Sequence, residues 1–140
     1  MDFKELAEND KKKEYLKGYE RAVRQMERCK ERIQEIRLSI LPSAINTDGM
    51  PHGHNSSDLS PYAVLLDQEE RKYKRAMYKR AMKCKEITDR IEKLENEDEK
   101  DVLTYRYIQL LKWEDICVIM KHSWQHVHRI HSRALENLKM

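Results

Sequence analysis

The sequence predicts an all-α protein, with a long coiled-coil-like N-terminal helical hairpin followed by a C-terminal three-helix helix-turn-helix unit. Charged residues make up 38% of the 140 positions and hydrophobic residues 39%, whereas an average globular protein is roughly 25% charged. Only 3 glycines and 3 prolines interrupt the chain. Apolar residues recur every three or four positions over long stretches, which is typical of amphipathic helices. The net charge of +3 is small, so the distribution of charge is more informative than its sum.

The first helix is predicted from about Phe3 to Ile40. Its apolar residues form one narrow stripe between faces rich in Lys, Arg, Glu and Gln. Pro42 is expected to end the helix, because proline has no N–H donor and disfavours helical backbone in the residue before it. The stripe runs through Leu16, Tyr19, Val23, Met26, Cys29 or Lys30, Ile33, Ile36 and Ile40.

Residues 42–61 are predicted to form a linker or loop. They hold all three prolines and two of the three glycines, with little apolar material to bury. His52 and His54 lie in this segment as an H-x-H pair. We expect this pair to be solvated rather than to bind a metal.

A second long helix is predicted to start at Ser60 and Pro61, because serine favours the N-cap and proline the first helical position. Its apolar seam has the spacing of about 3.5 residues that is typical of helix pairs. The two helices therefore predict an antiparallel hairpin over residues 1–95. Because a hairpin buries little surface, we expect a homodimer through these helices or packing on the next domain. The second seam runs through Leu66, Tyr73, Met77, Arg80, Cys84, Ile87, Ile91 and Leu94.

A C-terminal domain is predicted over residues 96–140. Asn96 is expected to cap its first helix, and Glu99 lies three residues further on, at the spacing of a capping box. This helix should run from about Glu97 to Leu110. Its predicted inner face consists of Val102, Leu103, Arg106, Tyr107 and Leu110.

Two further helices are predicted, from about Trp113 to Met120 and from about Trp124 to Leu138. Ser123 is the expected N-cap of the last helix. Two helices joined by a three-residue turn have the layout of a helix-turn-helix unit, whose second helix enters the major groove of DNA. The predicted inner faces consist of Ile116, Cys117 and Met120 on the first helix and Val127, Ile130, Ala134 and Leu138 on the second.

The outer face of the last helix carries the side chains that we expect to contact DNA. Gln and Arg can form bidentate contacts with adenine and guanine, while His, Ser and Arg also bind phosphates. From Lys121 to Met140 there are four Lys or Arg residues against one Glu, so this segment is locally basic. The predicted DNA-contacting residues are Lys121, Ser123, Trp124, Gln125, His126, His128, Arg129, Ser132 and Arg133.

Four of the six histidines lie between Lys121 and Leu135. Outside the inner stripe we place His128 on the exposed face and His126 and His131 on its flanks. Protonation of these three rings is expected to strengthen contacts with phosphates. The affinity for DNA should therefore rise as the pH falls from 7.5 to 6, around the reference histidine pKa of about 6.5.

The segment EKDVLTYRYIQLLKWEDICVIMKHSWQHVHRIHSRALENL resembles region 4 of bacterial sigma factors, the part that reads a promoter element. The resemblance rests on Val102-Leu103, Arg106-Tyr107, the WEDI helix start and the run VHRIHSRAL. With a helical N-terminal half of this size, the chain is most similar to the small phage and prophage regulators of the RinA/ArpU type.

This resemblance implies a sequence-specific activator of phage late genes that acts with host RNA polymerase on double-stranded promoter DNA. It implies a location in the host bacterial cytoplasm. It also implies that Trp124, Gln125, His128 and Arg129 occupy the base- and backbone-contacting positions of the family's recognition helix. An alternative function is a helical adaptor that binds polymerase or a sigma factor without reading DNA.

Two departures from the family pattern lie before the second helix of the unit. Glycine is usual there, but the segment QLLKWED has none, and Lys112 stands where Ser or Thr often caps the helix. The absence of glycine predicts a tighter or more helical turn.

Zinc is a competing interpretation of the histidine cluster. His122 and His126 have H-x3-H spacing, and Cys117 lies five residues upstream. A structural zinc site needs four converging ligands, usually with paired thiolates, and no second cysteine is near. We therefore expect no metal and no cofactor.

Enzymatic and membrane functions are not predicted. The sequence has no phosphate-binding glycine loop and no nucleophile elbow. No stretch approaches the roughly 18 apolar residues of a membrane span, and the N-terminus does not have the pattern of a signal peptide. The three widely spaced cysteines, Cys29, Cys84 and Cys117, indicate a reduced cytosolic protein.

Overall fold

The all-α prediction is confirmed by a computed structural model, which describes residues 2–45 and 60–140. Within these ranges every regular element is helical. The elements are α1 (Phe3–Leu16), α2 (Gly18–Ile45), α3 (Ser60–Glu92), α4 (Glu97–Leu103), a π-helix (Thr104–Ile108), α5 (Trp113–Met120) and α6 (Trp124–Asn137).

The predicted N-terminal helix is interrupted at Lys17, between α1 and α2. Gly18 begins α2 where the Lys83 side chain of α3 passes close to its backbone. A Cβ atom at Gly18 would lie 2.6 Å from the Cε atom of Lys83. The absence of a side chain lets Lys83 reach the Tyr15 ring, with Nζ 4.6 Å from the ring centroid.

The predicted end of the first long helix before Pro42 is wrong, because α2 continues to Ile45. Helical backbone therefore continues through Pro42, although proline cannot donate the backbone hydrogen bond of its position. At the other side of the linker, α3 begins at Ser60. Ser60 is therefore a helical residue, one position earlier than predicted. Most of the predicted linker, including His52 and His54, lies outside the described residues.

The chain divides into two compact units. The first unit combines residues up to Ala22 with Arg80–Met140, and the second consists of Val23–Lys79. These units are defined by contacts, and the first one contains both ends of the chain. The predicted boundary between residues 95 and 96 concerns which segments fold independently, and it stays a prediction.

The second unit is an antiparallel pair formed by parts of α2 and α3. The contacts show the opposite directions of the two helices. Cys29 packs with Ala76, and the later α2 residue Arg32 contacts the earlier α3 residue Glu69. The buried seam includes Met26, Cys29 and Ala76. The predicted seam position at Met77 is wrong, because Ala76 is buried and Met77 is 46% exposed. Ala76 and Met77 are adjacent and both apolar, so the sequence alone does not determine which of the two side chains faces inward.

The first unit is held together by α1, α4 and α5 packing on α6. Its fully buried side chains include Leu16, Ile87, Ile91, Leu103, Ile116, Leu135 and Leu138. On the polar side, Lys12 donates from Nζ to the Leu135 carbonyl at 2.7 Å. This bond satisfies one of the carbonyl groups that the end of a helix leaves free.

The N-cap predicted at Asn96 is confirmed, since Oδ1 accepts a hydrogen bond from the Glu99 backbone N–H at 3.1 Å. The Glu99 carboxylate has another role, which the sequence did not indicate. It is buried, and Asn137 on α6 donates to its two oxygens at 3.1 and 3.2 Å. The cap and this pair together fix the start of α4 against the end of α6.

Candidate nucleic-acid interface

The turn between α5 and α6 consists of Lys121, His122 and Ser123, as predicted. Lys121 adopts a left-handed backbone with φ of 57°. Its N–H donates to the Val118 carbonyl, and the His122 N–H donates to the Cys117 carbonyl. These two bonds form the Schellman motif that commonly closes a helix, although glycine is the usual residue at the left-handed position.

The N-cap predicted at Ser123 is also confirmed, because its Oγ accepts from the His126 N–H at 3.2 Å. Such a cap stabilises a helix by about 1 kcal/mol. The start of α6 is therefore fixed by two local devices, the left-handed Lys121 and the Ser123 cap. Both define the direction in which the first residues of α6 project.

The connection between α4 and α5 differs from the prediction. The helix passes into π geometry at Thr104 and ends at Ile108, so the predicted helical end at Leu110 is wrong. Leu110 is exposed rather than on the inner face, and its φ is 58°. The expected tighter or more helical turn is not formed; a leucine takes the left-handed conformation that glycine usually supplies. Arg106 Nη1 donates to the Leu111 carbonyl at 3.0 Å and holds this connection.

The inner face predicted for α6 is confirmed. Val127, Ile130, Ala134 and Leu138 are all buried. Val127 and Ile130 share a cluster with Val102 and Ile116, against which Cys117 and Met120 also pack. Burial of this stripe fixes the rotation of α6 about its axis, so the opposite face is turned to solvent.

The outer face of α6 is an open surface on which six of the predicted residues lie together. Among the other predicted residues, Ser123 and Lys121 are exposed in the turn, and His126 is half-buried on the flank. The side chains that share this outer face are Trp124, Gln125, His128, Arg129, Ser132 and Arg133.

His128 is held between two tryptophans. Its ring centroid lies 4.5 Å from that of Trp124 and 4.5 Å from that of Trp113. Partial burial lowers the pKa of His128, and the charges of Arg106 and Lys13 lower it further. Its Nε2 atom is buried and has no hydrogen-bond partner among the described residues. His128 therefore packs between the two tryptophan rings with its Nε2 atom away from solvent.

His131 is not on the flank of the exposed face, so that prediction is wrong. The side chain is buried, and its Nε2 shares a hydrogen bond of 2.8 Å with the Tyr107 hydroxyl. Burial, with smaller contributions from Lys13, His128 and Arg106, lowers the pKa of His131 to about 3. Burial also raises the pKa of Tyr107 to about 12. The expectation that protonated His131 contacts phosphates is therefore also wrong.

Trp113 is the residue around which this region is organised, and the sequence indicated only that it begins a helix. The Arg106 guanidinium lies 4.8 Å from its ring centroid, and the His131 ring packs against it at 4.8 Å. The predicted inward orientation of Arg106 is explained by this contact with Trp113. An aromatic residue at the first position of α5 was the available signal, but its partners lie on other helices.

The histidine cluster does not form a metal site within residues 2–45 and 60–140. No three His, Cys, Asp or Glu side chains there are arranged to hold an ion. His122 and His126 pack edge to face with ring centroids 4.4 Å apart, and Cys117 packs against the core.

The chain matches no family model, no curated protein and no solved structure. Among the described helices, none has both the length and the apolar character that a membrane span requires. The interpretation of the α6 surface therefore rests on its geometry, its chemistry and the resemblance to sigma region 4.

Proposed function

We propose that this protein is a sequence-specific DNA-binding regulator of transcription and that α6 is its recognition helix. The observation that carries the proposal is the set of side chains on the outer face of α6. A flat aromatic, an amide, two guanidinium groups and a hydroxyl lie together there, opposite a buried apolar stripe.

The chemistry of this face suits the major groove of double-stranded DNA. Gln125 and Arg129 lie four residues apart, so both project from one side of consecutive helical turns. The two groups can pair with adenine and guanine edges, whereas Arg133 and Ser132 can hold phosphates. Trp124, at the leading edge of α6, is 50% exposed. An exposed aromatic ring of this size can pack against a thymine methyl group or a sugar.

The biological setting of this proposal comes from the resemblance to sigma region 4 and to regulators of the RinA/ArpU type. On that basis the protein activates phage late genes together with host RNA polymerase, in the host bacterial cytoplasm. A homodimer through the N-terminal helices would double the recognition helices. It would then require two half-sites separated by about one turn of DNA.

Gel-shift assays with phage late-promoter DNA at two salt concentrations test the proposal. The wild-type protein should shift the promoter, and the shift should weaken steeply with salt because bound cations release counterions from DNA. The double variant Gln125→Ala/Arg129→Ala should lose the specific shift while keeping the helical content of the wild type.

The matched control is Gln34→Ala/Lys30→Ala, which removes one amide and one cation from exposed positions on α2. This control should shift the promoter as the wild type does. A normal shift by the α6 variant, or an equal loss in both variants, would contradict the assignment of α6 as the recognition helix.

A second candidate function is a helical adaptor that binds polymerase or a sigma factor without reading DNA. One observation favours it: Val118 and Ile119 on α5 are 77% and 48% exposed. Adjacent apolar side chains on a surface helix are a common feature of protein contacts. If the adaptor is correct, Val118→Glu should abolish the polymerase contact, and the α6 variant should leave it unchanged.

A further inference from the structure

A basic groove runs between α2 and α3 within the second unit, apart from the surface of α6. It has a volume of about 250 Å³. Six polar side chains line it, three from each helix: Gln25, Arg28 and Arg32 on α2, and Lys72, Arg75 and Lys79 on α3.

The spacing of these residues makes each row continuous. In both helices the three positions are i, i+3 and i+7, which places them along one face. Between the rows lie Cys29 and Ala76, which are small and buried. The groove therefore has a low apolar floor and two cationic walls.

Part of this positive charge is not compensated. Arg32 and Lys72 both contact Glu69, at 3.7 and 3.2 Å. No ion pair within the described residues engages Arg28, Arg75 or Lys79. Three exposed cations thus face a common groove, where their mutual repulsion would be relieved by an anionic partner.

The shape of the groove indicates an extended polyanion. From Lys72 to Lys79 the row covers about 10 Å along α3, at 1.5 Å per residue. A strand of duplex DNA presents a phosphate about every 3.4 Å of helix axis, so a row of this length can face more than one phosphate. The lining residues include no aromatic side chain, whereas surfaces for single strands usually stack bases on aromatic rings.

The geometry points to a second nucleic-acid contact, in which this groove holds the sugar-phosphate backbone of a duplex without reading its sequence. The contact extends the proposed function but does not depend on base reading by α6. Arg28, Arg75 and Lys79 supply the charge-assisted hydrogen bonds to phosphate oxygens. Such a contact would add affinity and salt dependence while leaving the preferred sequence unchanged.

The test measures how the affinity of the full-length protein for a duplex of arbitrary sequence changes between about 50 and about 200 mM salt, by fluorescence anisotropy. The variant Arg28→Gln/Arg75→Gln removes one cation from each wall. Its slope of log affinity against log salt should be smaller than that of the wild type by about 2, since each phosphate contact contributes about 0.9.

Two controls make the result specific to the groove. Lys30→Gln/Lys74→Gln removes the same charge from exposed positions on the same helices, outside the groove, and should keep the wild-type slope. Arg28→Lys/Arg75→Lys keeps the charge and should also keep most of the slope. Glutamine is as good a helix former as lysine or arginine, so all three variants should melt as the wild type does.

Equal slopes for the groove variant and the Lys30/Lys74 control would overturn the inference. The inference would also be overturned if the groove variant bound duplex normally but no longer bound a labelled polyglutamate peptide. That result would assign the groove to an acidic protein partner. Failure of the base-reading proposal looks different. In that case Gln125→Ala/Arg129→Ala would not alter sequence preference, while the effect of the groove variant on the salt slope would remain.

Discussion

At the scale of single residues, His131 is held neutral by its surroundings. It is 6% exposed, shares a hydrogen bond with Tyr107 and packs against Trp113. Protonation would place a charge in this buried site, next to Lys13 and Arg106, which lower its pKa. The ring therefore acts as a neutral part of the core that supports α6.

The first prediction concerns the pH dependence of stability. The folded pKa of His131, about 3, lies below its unfolded value of about 6.5. The unfolded chain thus binds the proton first as the pH falls. The contribution to stability is complete above pH of about 6.5 and decreases towards pH of about 3, by up to roughly 1.4 kcal/mol per pH unit.

His131→Gln isolates this contribution, because its amide can still bond to the Tyr107 hydroxyl but does not titrate. The stability advantage of the wild type over the variant should shrink as the pH falls from about 6.5 to about 4, measured by urea unfolding. His126→Gln, at a half-buried position, is the matched control. A wild-type advantage over His131→Gln that stays constant across this range would contradict the account.

The burial of His131 is compatible with the sequence but does not follow from it. Two sets of residues on α6 have the spacing of one helical face: Val127, His131, Ala134 and Leu138, and Val127, Ile130 and Ala134. The set without histidine was chosen as the inner face because histidine is polar. The deciding partner, Tyr107, lies 24 residues away on another element, and single-helix periodicity carries no information about such contacts.

The same site limits the predicted effect of pH on binding. Burial removes His131 from any DNA contact, and it lowers the pKa of His128 as well. A rise in affinity between pH 7.5 and 6 stays a prediction, with fewer groups to produce it.

At the scale of elements, the two connections that orient α5 and α6 use left-handed residues that are not glycine. Leu110 has φ of 58° and Lys121 has φ of 57°. A non-glycine residue in this conformation costs roughly 1–2 kcal/mol relative to right-handed geometry. Hydrogen bonds offset these costs: the Schellman motif closes the turn at Lys121, and the bond from Arg106 closes the connection at Leu110.

Lys121→Gly should therefore stabilise the protein, by about 0.5–1 kcal/mol. The glycine removes the strain of the left-handed backbone, although it also gains freedom in the unfolded chain. Differential scanning calorimetry should show a higher Tm. Lys112→Gly, where φ is −72°, should be neutral or destabilising. A lower Tm for Lys121→Gly than for Lys112→Gly would show that the left-handed turn is not strained.

Local signals predicted some elements well and failed at others for identifiable reasons. The bounds of α5 and the caps Asn96 and Ser123 follow from residue types within one turn, so they could be read directly. The close approach of Lys83 to the backbone at Gly18 involves a residue on α3, and the π-helix contains Arg106 and Tyr107, whose partners lie on other helices. Such tertiary causes have no local sequence pattern.

At the scale of the whole molecule, the sequence predicted the helical class, while the predicted boundary at residues 95 and 96 stays a prediction about independent folding. The stripes along α2 and α3 indicated one hairpin over residues 1–95. In the structure, residues up to Ala22 and those from Arg80 onward join the unit that contains α6. Lys12, which bonds to the end of α6, is an example of a contact that a seam of apolar residues does not reveal.

The outer face of α6 was predicted with more success than its flanks. Six predicted residues lie together on this face, because the buried stripe alone determines which side of an amphipathic helix faces solvent. The basic groove on the second unit was not predicted, since its two walls come from helices far apart in the sequence. Both surfaces carry cationic side chains that suit phosphates.

The central claim, that the outer face of α6 reads base pairs, is tested most directly by a specificity ratio. Duplexes are selected from a random pool with the wild-type protein, and the Kd for a scrambled duplex is divided by the Kd for the selected one. We expect a wild-type ratio of about 10³ or more. Gln125→Ala/Arg129→Ala should reduce it by about tenfold or more for each lost bidentate contact. No sequence selected by the wild type, or an unchanged ratio in this variant, would contradict the claim.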